Sequence, residues 1–276
     1  MYPIISKKTL AEGIHHLDIL SPLVASHAQP GQFVIIRVDN NGERIPLTIF
    51  NYNRQKGIVS IIFQEVGETT EKLALLKEGD SLTDFLGPLG VAMKEEFVGT
   101  VVSVGGGVGT ASLFPKTRAF KELGNRMISI IGARTKELLI LEEEMRGISD
   151  ELYITTDDGS YGRKGLVTDV LKEILSLGEK VNLVVAVGPV IMMKAVCLVT
   201  KPFKIKTLVS LNPVMVDGTG MCGSCRVSVG GETKFTCVHG PIFDGHKVDF
   251  EELMRRNRRF LKEEKLAIKH FGQRKG

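Results

Sequence analysis

Three of the four cysteines lie close together in the C-terminal quarter of the chain. Cys222, Cys225 and Cys237 fall within sixteen residues, and Asp217 precedes the first of them by five positions. The spacing Asp-x4-Cys-x2-Cys-x11-Cys is that of plant-type [2Fe–2S] ligands, with aspartate in place of the first cysteine. The glycines between these residues let the backbone wrap and point amide groups at sulfur. The pattern predicts a [2Fe–2S] cluster bound by Asp217, Cys222, Cys225 and Cys237.

Two other interpretations of this segment stay open on the sequence alone. The same three cysteines with His239 or Asp217 would form a structural zinc site, and a Cys-x-x-Cys pair without a ligand is a further alternative. Cys197 lies in an apolar stretch and is interpreted as a small buried hydrophobic residue. Clustered cysteines without a secretory signal favour a metal or redox site over disulfides, and predict a cytoplasmic location.

A second group of residues suited to chemistry is rich in glycine. Residues 105–110, Gly-Gly-Gly-Val-Gly-Thr, follow an apolar run and precede a helical pattern, an arrangement that binds a dinucleotide pyrophosphate at a helix N-terminus. Thr110 replaces the third glycine of the usual motif, and a plain tight turn is the alternative. Residues 188–193 form an equivalent turn after another apolar run. The predicted dinucleotide-binding residues are Gly107, Val108, Gly109, Thr110, Gly188, Pro189 and Met192.

The elements that must position these groups fall into two kinds. Before residue 95, short alternating strands recur at 16–20, 32–38, 46–50 and 58–63, separated by turn residues, which is typical of a small antiparallel β-barrel. One helix is expected after Gly67. Beyond residue 96, fully apolar strands alternate with helices near 110–123, 136–146, 166–177 and 190–200, which predicts a doubly wound parallel sheet.

The fold class is therefore all-β followed by α/β, with a small cluster segment at the end. The segment 212–248 is too short for an apolar core of its own, so something other than apolar burial must hold it. Asp249 resembles a helix cap and leads into one basic helix. The expected divisions are a barrel over 1–95, a nucleotide domain over 96–211, the cluster segment over 212–248 and the basic helix over 249–276.

The charge of the chain is concentrated at its end. From Met254 onward there are nine Lys and Arg residues and two Glu, so this tail carries +7 and the remainder −3. The sequence has no nucleic-acid recognition motif, so nucleic acid is not expected as a partner. The tail is either a solvated helix face or a docking surface for a protein. The apolar run 183–193 is too short to span a bilayer, and no membrane association is expected.

With these pieces in place, the whole chain resembles the ferredoxin–NADP reductase-like flavoproteins. The stretch Arg44-Ile45-Pro46-Leu47-Thr48-Ile49 is similar to the family's Arg-x-(Pro/Tyr)-x-(Ser/Thr) flavin motif. The resemblance implies that Arg44 pairs with the FAD pyrophosphate and that Thr48 lies at the reactive flavin nitrogen as the catalytic residue. It also implies a phosphate-binding turn at 67–70. The FAD-binding residues implied by the resemblance are Arg44, Pro46, Leu47, Thr48, Ile49, Gly67, Thr69 and Thr70. For Arg44 alone, the alternative is an ordinary surface charge.

Within this superfamily the chain resembles two groups of subunits. The combination of barrel, nucleotide domain and cluster is similar to the electron-transfer subunits of dihydroorotate dehydrogenase, which have four cysteines at the cluster. Asp217 in place of one cysteine is instead associated with the small subunits of NADH-dependent ferredoxin:NADP oxidoreductases, also described as sulfide dehydrogenase small subunits. We therefore favour the second group, whose complexes bifurcate electrons, and keep the first as the alternative.

The choice between NADH and NADPH depends on the residues that follow two of the apolar strands. Asp157 and Asp158 would repel a 2′-phosphate and accept a ribose hydroxyl, whereas Arg134 favours the phosphate. We expect NADH, with Asp157 and Arg134 at the cofactor; the alternative is that the acids merely start a turn.

The resulting hypothesis is an electron-transfer subunit that uses FAD, NAD(H) and a [2Fe–2S] cluster. Hydride passes between the nicotinamide and FAD, and electrons pass singly through the cluster. The sequence offers no second substrate site, which predicts a larger flavin and iron–sulfur partner subunit, with ferredoxin reached through that partner. A non-catalytic interaction module with a zinc site is the alternative from another class.

Overall fold

The computed structural model describes residues 1–94 and 96–275. Glu95, at the predicted boundary between the first two domains, and Gly276 lie outside the described residues. Within the described part of the chain, no helix is long and apolar enough to cross a membrane.

The N-terminal strands form an antiparallel sheet that curls into a nearly closed barrel, which confirms the predicted fold of this region. The strands are β1 (Tyr2–Ala11), β2 (Ile14–Leu20), β3 (Phe33–Arg37), β4 (Arg44–Asn53), β5 (Ile58–Gln64), β6 (Ser81–Leu82) and β7 (Asp84–Leu89). Their spatial order is β6-β1-β2-β5-β4-β3-β7. Two helices, α1 (Pro22–His27) and α2 (Glu68–Leu75), accompany the sheet. Alternate apolar residues of these strands fill the barrel interior.

The second sheet is parallel except at one edge, which confirms the predicted doubly wound domain. Its strands are β8 (Thr100–Gly106), β9 (Arg126–Ala133), β10 (Glu151–Thr156), β11 (Arg163–Lys164), β12 (Leu183–Val187), β13 (Lys206–Ser210) and the antiparallel β16 (Ile242–Asp244). They lie in the order β11-β10-β9-β8-β12-β13-β16. The strand order reverses between β8 and β12, and this switch point is where such sheets bind ligands.

Crossover helices cover both faces of this sheet. They are α3 (Gly109–Glu122), α4 (Glu142–Gly147), α5 (Val167–Ser176) and α6 (Val190–Thr200). Apolar residues of α3 and α4 pack on one face, together with barrel residues such as Phe50, whereas α5 and α6 pack on the other face. Helix α3 therefore lies between the parallel sheet and the barrel.

The predicted helix over 136–146 is wrong in detail. A 3-10 turn at Lys136–Leu138 is followed by the separate helix α4, and Leu141 between them has a φ of 61°. Ile140 and Leu141 are buried in the core beneath α3, and this burial interrupts the helix at these residues.

The cysteine segment is joined to the parallel sheet. It forms the hairpin β14 (Arg226–Val229) and β15 (Glu232–Phe235), the short helix α7 (Thr236–His239), and then β16, which pairs with β13. The chain continues through α8 (Phe250–Asn257) and α9 (Leu261–Lys275). One continuous basic helix was therefore the wrong expectation, because residues 258–260 separate two helices. Helix α8 packs on α6 and β14, and α9 reaches back to α2, where Phe271 is buried.

Candidate functional site: a flavin face, a glycine edge and a cysteine loop

Strand β4 presents the predicted flavin motif on the outside of the barrel. Arg44, Pro46 and Thr48 alternate with residues that pack toward the barrel core, because successive side chains of a strand point to opposite faces. Leu47 and Ile49 belong to the inward set. Any contact that these two residues make with a cofactor would therefore come from their backbone.

Arg44 is held in place by an aspartate that the sequence did not single out. Its Nη2 lies 3.2 Å from Oδ2 of Asp84 on β7, and Arg37 Nε lies 2.8 Å from the same oxygen. Burial opposes ionisation of Asp84, but hydrogen bonds from Arg37 and Arg44 hold its pKa below the usual value. The Arg44 side chain remains 42% exposed, so its guanidinium is oriented and accessible to an anion.

The N-terminus of α2 forms the predicted phosphate turn. The Thr70 hydroxyl accepts hydrogen bonds from the backbone N–H groups of Val66 and Gly67, at 2.9 and 3.0 Å. Thr69 donates to Glu43, the residue before Arg44, at 3.4 Å. The space beside the Gly67 α-carbon is open. A helix N-terminus favours anions, and here it lies next to the strand that carries Arg44.

The two glycine-rich turns meet at the switch point of the parallel sheet. A Cβ atom added at Gly109 would lie 2.6 Å from the Val187 carbonyl oxygen and 2.7 Å from the Gly188 α-carbon. Gly107 has a φ of +54° and open space around its α-carbon. The structure thus places the two predicted turns side by side, with backbone free to approach a ligand.

The two positions that bear on nicotinamide choice lie along the same carboxyl edge. Arg134 follows β9 and Asp157 follows β10, and both are exposed. Asp158 has a different role, since its Oδ1 accepts hydrogen bonds from Ser160 N–H at 2.9 Å and Ser160 Oγ–H at 2.7 Å. These bonds lower the Asp158 pKa. The turn-forming interpretation therefore applies to Asp158.

The cysteine segment brings its four predicted ligands together as two pairs. Cys225 and Cys237 are buried, with their sulfur atoms 3.2 Å apart, and burial with the Cys225 contact raises the pKa of Cys237 to about 12. Cys222 is exposed. Its backbone N–H donates to Asp217 Oδ2 at 2.6 Å, and Asp217 Oδ1 accepts from Thr219 N–H at 2.8 Å.

This arrangement fits a two-iron cluster better than a single metal ion. A [2Fe–2S] cluster takes two protein ligands on each iron, and the loop offers two separate pairs of donors. Among the described residues, no three His, Cys, Asp or Glu side chains are close enough to hold one ion. His239 Nδ1 accepts the Phe235 N–H at 2.9 Å, so this nitrogen is not available to a metal ion.

The cysteine loop packs on the same barrel face that carries the flavin motif. In the register of β3 with β4, Phe33 is opposite Thr48 and Ile35 is opposite Pro46. Phe33 and Ile35 form one buried apolar cluster with Cys225 and Cys237. Residues of a single strand thus separate the position implied for the reactive flavin nitrogen from the buried cysteine pair.

Sequence reasoning missed two residues beside Thr48. Ser112, in the first turn of α3, donates from Oγ to Thr48 Oγ1 at 2.8 Å. Lys116 donates from Nζ to the Ser112 carbonyl oxygen at 2.7 Å, and burial lowers its pKa to about 7. Nothing in the sequence marks Ser112. Lys116 shares a helical face with Leu113 and Phe120, a pattern that indicates burial.

Comparison with known proteins agrees with the arrangement of the cysteine segment. Residues 212–249 match the sequence model of the family described as the iron–sulfur cluster binding domain of dihydroorotate dehydrogenase B. This match confirms the predicted assignment of the segment to an iron–sulfur cluster.

Three full-length similarities extend over nearly the whole chain. A homologue of the dihydroorotate dehydrogenase B (NAD(+)) electron transfer subunit from Thermotoga maritima is 47% identical, covering 97% of this chain and 94% of the relative. The corresponding subunit from Bacillus cereus is 32% identical, covering 87% and 94%. A solved structure of the NADH-dependent reduced ferredoxin–NADP oxidoreductase, concerned with flavin-based electron bifurcation, superposes with a TM-score of 0.93 at 46% identity, covering 98% of each chain.

Proposed function

The chain belongs to the family of dihydroorotate dehydrogenase B electron-transfer subunits and their homologues, and from this premise we propose how it moves electrons. NADH binds at the glycine edge of the parallel sheet, FAD binds on the outer face of β4, and a [2Fe–2S] cluster is held by the cysteine loop. Hydride passes from NADH to FAD, and the electrons leave singly through the cluster to a larger redox subunit.

The observation that carries this proposal is the continuity of one barrel face. Thr48 on β4 is opposite Phe33 on β3, and Phe33 packs in one buried cluster with Cys225 and Cys237 of the cysteine segment. When bound, FAD accepts the two electrons and the hydrogen of a hydride and releases the electrons one at a time, which matches the one-electron capacity of the cluster. Such a layout is suited to electron transfer between the two groups.

The protein residues supply position and charge in this proposal. Arg44 and the N-terminus of α2 hold the FAD pyrophosphate, and the Thr48 hydroxyl hydrogen-bonds to the reactive ring nitrogen. Gly107 and Gly109 allow the dinucleotide to approach the backbone. Asp157 accepts a ribose hydroxyl, which favours NADH over NADPH.

The surface around Cys222 is suited to contact with the partner subunit. Met221, next to Cys222, is 89% exposed, and Val216 and Val238 are exposed on the same loop region. The basic tail from Met254 onward, which includes the end of α8 and all of α9, follows, and its charge would steer an acidic partner. Ferredoxin would be reached through that partner. Cysteines that bind an iron–sulfur cluster fit a reducing compartment, so we propose a cytoplasmic location.

We favour a partner of the ferredoxin:NADP oxidoreductase type. The similarity to that solved structure covers 98% of each chain, and the resemblance described under Sequence analysis associates Asp217 with this type of subunit. A dihydroorotate dehydrogenase partner is the second candidate, supported by the relatives' names.

The test compares the isolated chain with the chain purified alongside its co-expressed neighbours. We expect the isolated protein to show flavin and iron–sulfur absorption and to reduce a dye with NADH. Physiological turnover should require the co-purifying subunit, which mass spectrometry identifies. A colourless protein that contains zinc, or full physiological turnover by the lone chain, would contradict the proposal.

A further inference from the structure

One side-chain hydrogen bond joins the flavin strand to the nucleotide helix. Ser112 lies in the first turn of α3, three residues after Gly109, and its Oγ donates to Thr48 Oγ1 on β4 at 2.8 Å. Both side chains are half-buried between the barrel and the parallel sheet. The bond therefore connects the glycine edge directly to the residue implied at the reactive flavin nitrogen.

This bond restricts what the Thr48 hydroxyl can do. A hydroxyl has one proton to donate and two lone pairs that accept. Because Ser112 occupies an acceptor site of Thr48, the Thr48 proton is left for another partner. Within the described residues, the Thr48 hydroxyl makes no second hydrogen bond. Hydrogen bonds in a chain also strengthen one another, so donation from Ser112 makes Thr48 a better donor.

The position of Ser112 is itself fixed by a buried lysine. Lys116 lies one turn further along α3 and is 1% exposed, and its Nζ donates to the Ser112 carbonyl oxygen at 2.7 Å. A second link between the same two elements lies further along, where Arg118 Nη1 donates to Asn51 Oδ1 at 3.1 Å. That link does not involve Thr48 and provides a matched control.

We propose that Ser112 is a positioning residue that sets the Thr48 hydroxyl as a hydrogen-bond donor toward the reactive ring nitrogen of the flavin. This inference rests on the proposed function. In oxidised flavin this nitrogen is an acceptor, so the Ser112–Thr48 pair favours the oxidised form. The pair thus lowers the flavin reduction potential and orients the ring against the nicotinamide edge.

The test measures flavin reduction potential, FAD affinity and the rate of flavin reduction by NADH in purified variants. Ser112→Ala should shift the potential to a more positive value and slow reduction about fivefold, as expected for the loss of one hydrogen bond. The affinity for oxidised FAD should fall by no more than about fivefold, the loss that matches one hydrogen bond, and Ser112→Thr should restore the potential. Asn51→Ala, which cuts the neighbouring link, should leave the potential at the wild-type value.

A double-mutant cycle separates action through Thr48 from a general loosening of the interface. In a Thr48→Val background, Ser112→Ala should cause no further shift. An unchanged potential in Ser112→Ala, an additive shift in the double variant, or an equal shift in Asn51→Ala would each overturn the inference. A wild-type chain that binds no FAD would instead contradict the proposed function, and the inference with it.

Discussion

At the scale of single residues, Arg44 illustrates how an apparent surface charge becomes a candidate ligand. It shares Asp84 with Arg37, yet the two arginines occupy adjacent strands and only Arg44 lies in the flavin motif. The carboxylate orients both guanidinium groups without burying them. An anion that binds here would meet a fixed rather than a mobile positive charge.

Arg44→Ala should weaken FAD binding about 10- to 100-fold, the effect of losing one charge-assisted contact. Flavin content after purification and titration of the apoprotein with FAD measure this loss. Arg37→Ala, which also removes one of the two ion-pair partners of Asp84, is the matched control and should weaken FAD binding less. Full flavin occupancy with undiminished affinity in Arg44→Ala would remove Arg44 from the site.

The cysteines permit a similarly direct prediction. Cys222→Ser, Cys225→Ser and Cys237→Ser should each lose or badly destabilise the cluster, because each removes a thiolate ligand. Cys197→Ser should retain it, since Cys197 is a residue of α6 whose side chain is buried in the core. Iron and acid-labile sulfide are counted in each purified variant. An equal loss in Cys197→Ser would show that the wrong ligands were chosen.

Some of this site was predictable from sequence and some was not. The spacing of Asp217 and the cysteines identifies the cluster segment because the ligands are close in sequence. The Ser112–Thr48 contact joins residues 64 positions apart, and no local pattern encodes it. Asp84 was missed for the same reason, since its partners come from two other strands.

At the scale of elements, α3 does more than cross the sheet. Its first turn contacts β4, its apolar face lies in the core shared with the barrel, and Lys116 is enclosed between them. A buried lysine without a carboxylate partner is costly to protonate, which is why its pKa falls to about 7. In the unfolded chain the pKa of Lys116 returns to its usual value of 10.5.

This difference makes the stability of the chain depend on pH. Between about pH 7 and 10 the unfolded chain binds one more proton at Lys116 than the folded chain, so stability should rise with pH in that window. Lys116→Met should raise the unfolding temperature at pH 7 and flatten this slope, with a gain on the order of 4 kcal/mol.

Thermal unfolding at pH 7, 8 and 9 measures the slope for the variant and the wild type. Lys172→Met, at an exposed position on α5, is the control and should keep the wild-type slope. A Lys116→Met protein with an unchanged slope would show that Lys116 stays charged in the folded chain.

Element prediction succeeded where periodicity is strong and failed where tertiary contacts override it. The apolar strands of the parallel sheet and the helices α3, α5 and α6 lie where the pattern indicates. The sequence around Ile140 predicts a continuous helix, but in the structure this segment is buried against α3 and is not helical. The sequence of the basic tail predicts one helix, yet the structure has two, and the second, α9, packs against α2.

At the scale of the whole molecule, the chain end contacts two of the three proposed cofactor sites. Arg256 on α8 donates to the Ser224 carbonyl oxygen in the cysteine loop at 3.1 Å, while Phe271 on α9 lies near Lys72 of α2. The tail thus touches both the predicted cluster loop and the helix of the predicted phosphate turn. In the proposed function, the barrel, the parallel sheet and the cysteine loop together form one path from the nicotinamide edge to the exposed Cys222.

In the proposed function, electrons from NADH cross this path inside one chain. The most direct measurement is an anaerobic titration of the purified, cofactor-loaded protein with NADH, following flavin absorbance and the electron paramagnetic resonance of the reduced cluster. We expect the flavin to bleach and the reduced-cluster signal to grow in the wild type, whereas in Cys237→Ser the flavin should bleach alone. A wild-type flavin that bleaches while its cluster stays oxidised throughout the titration would contradict it.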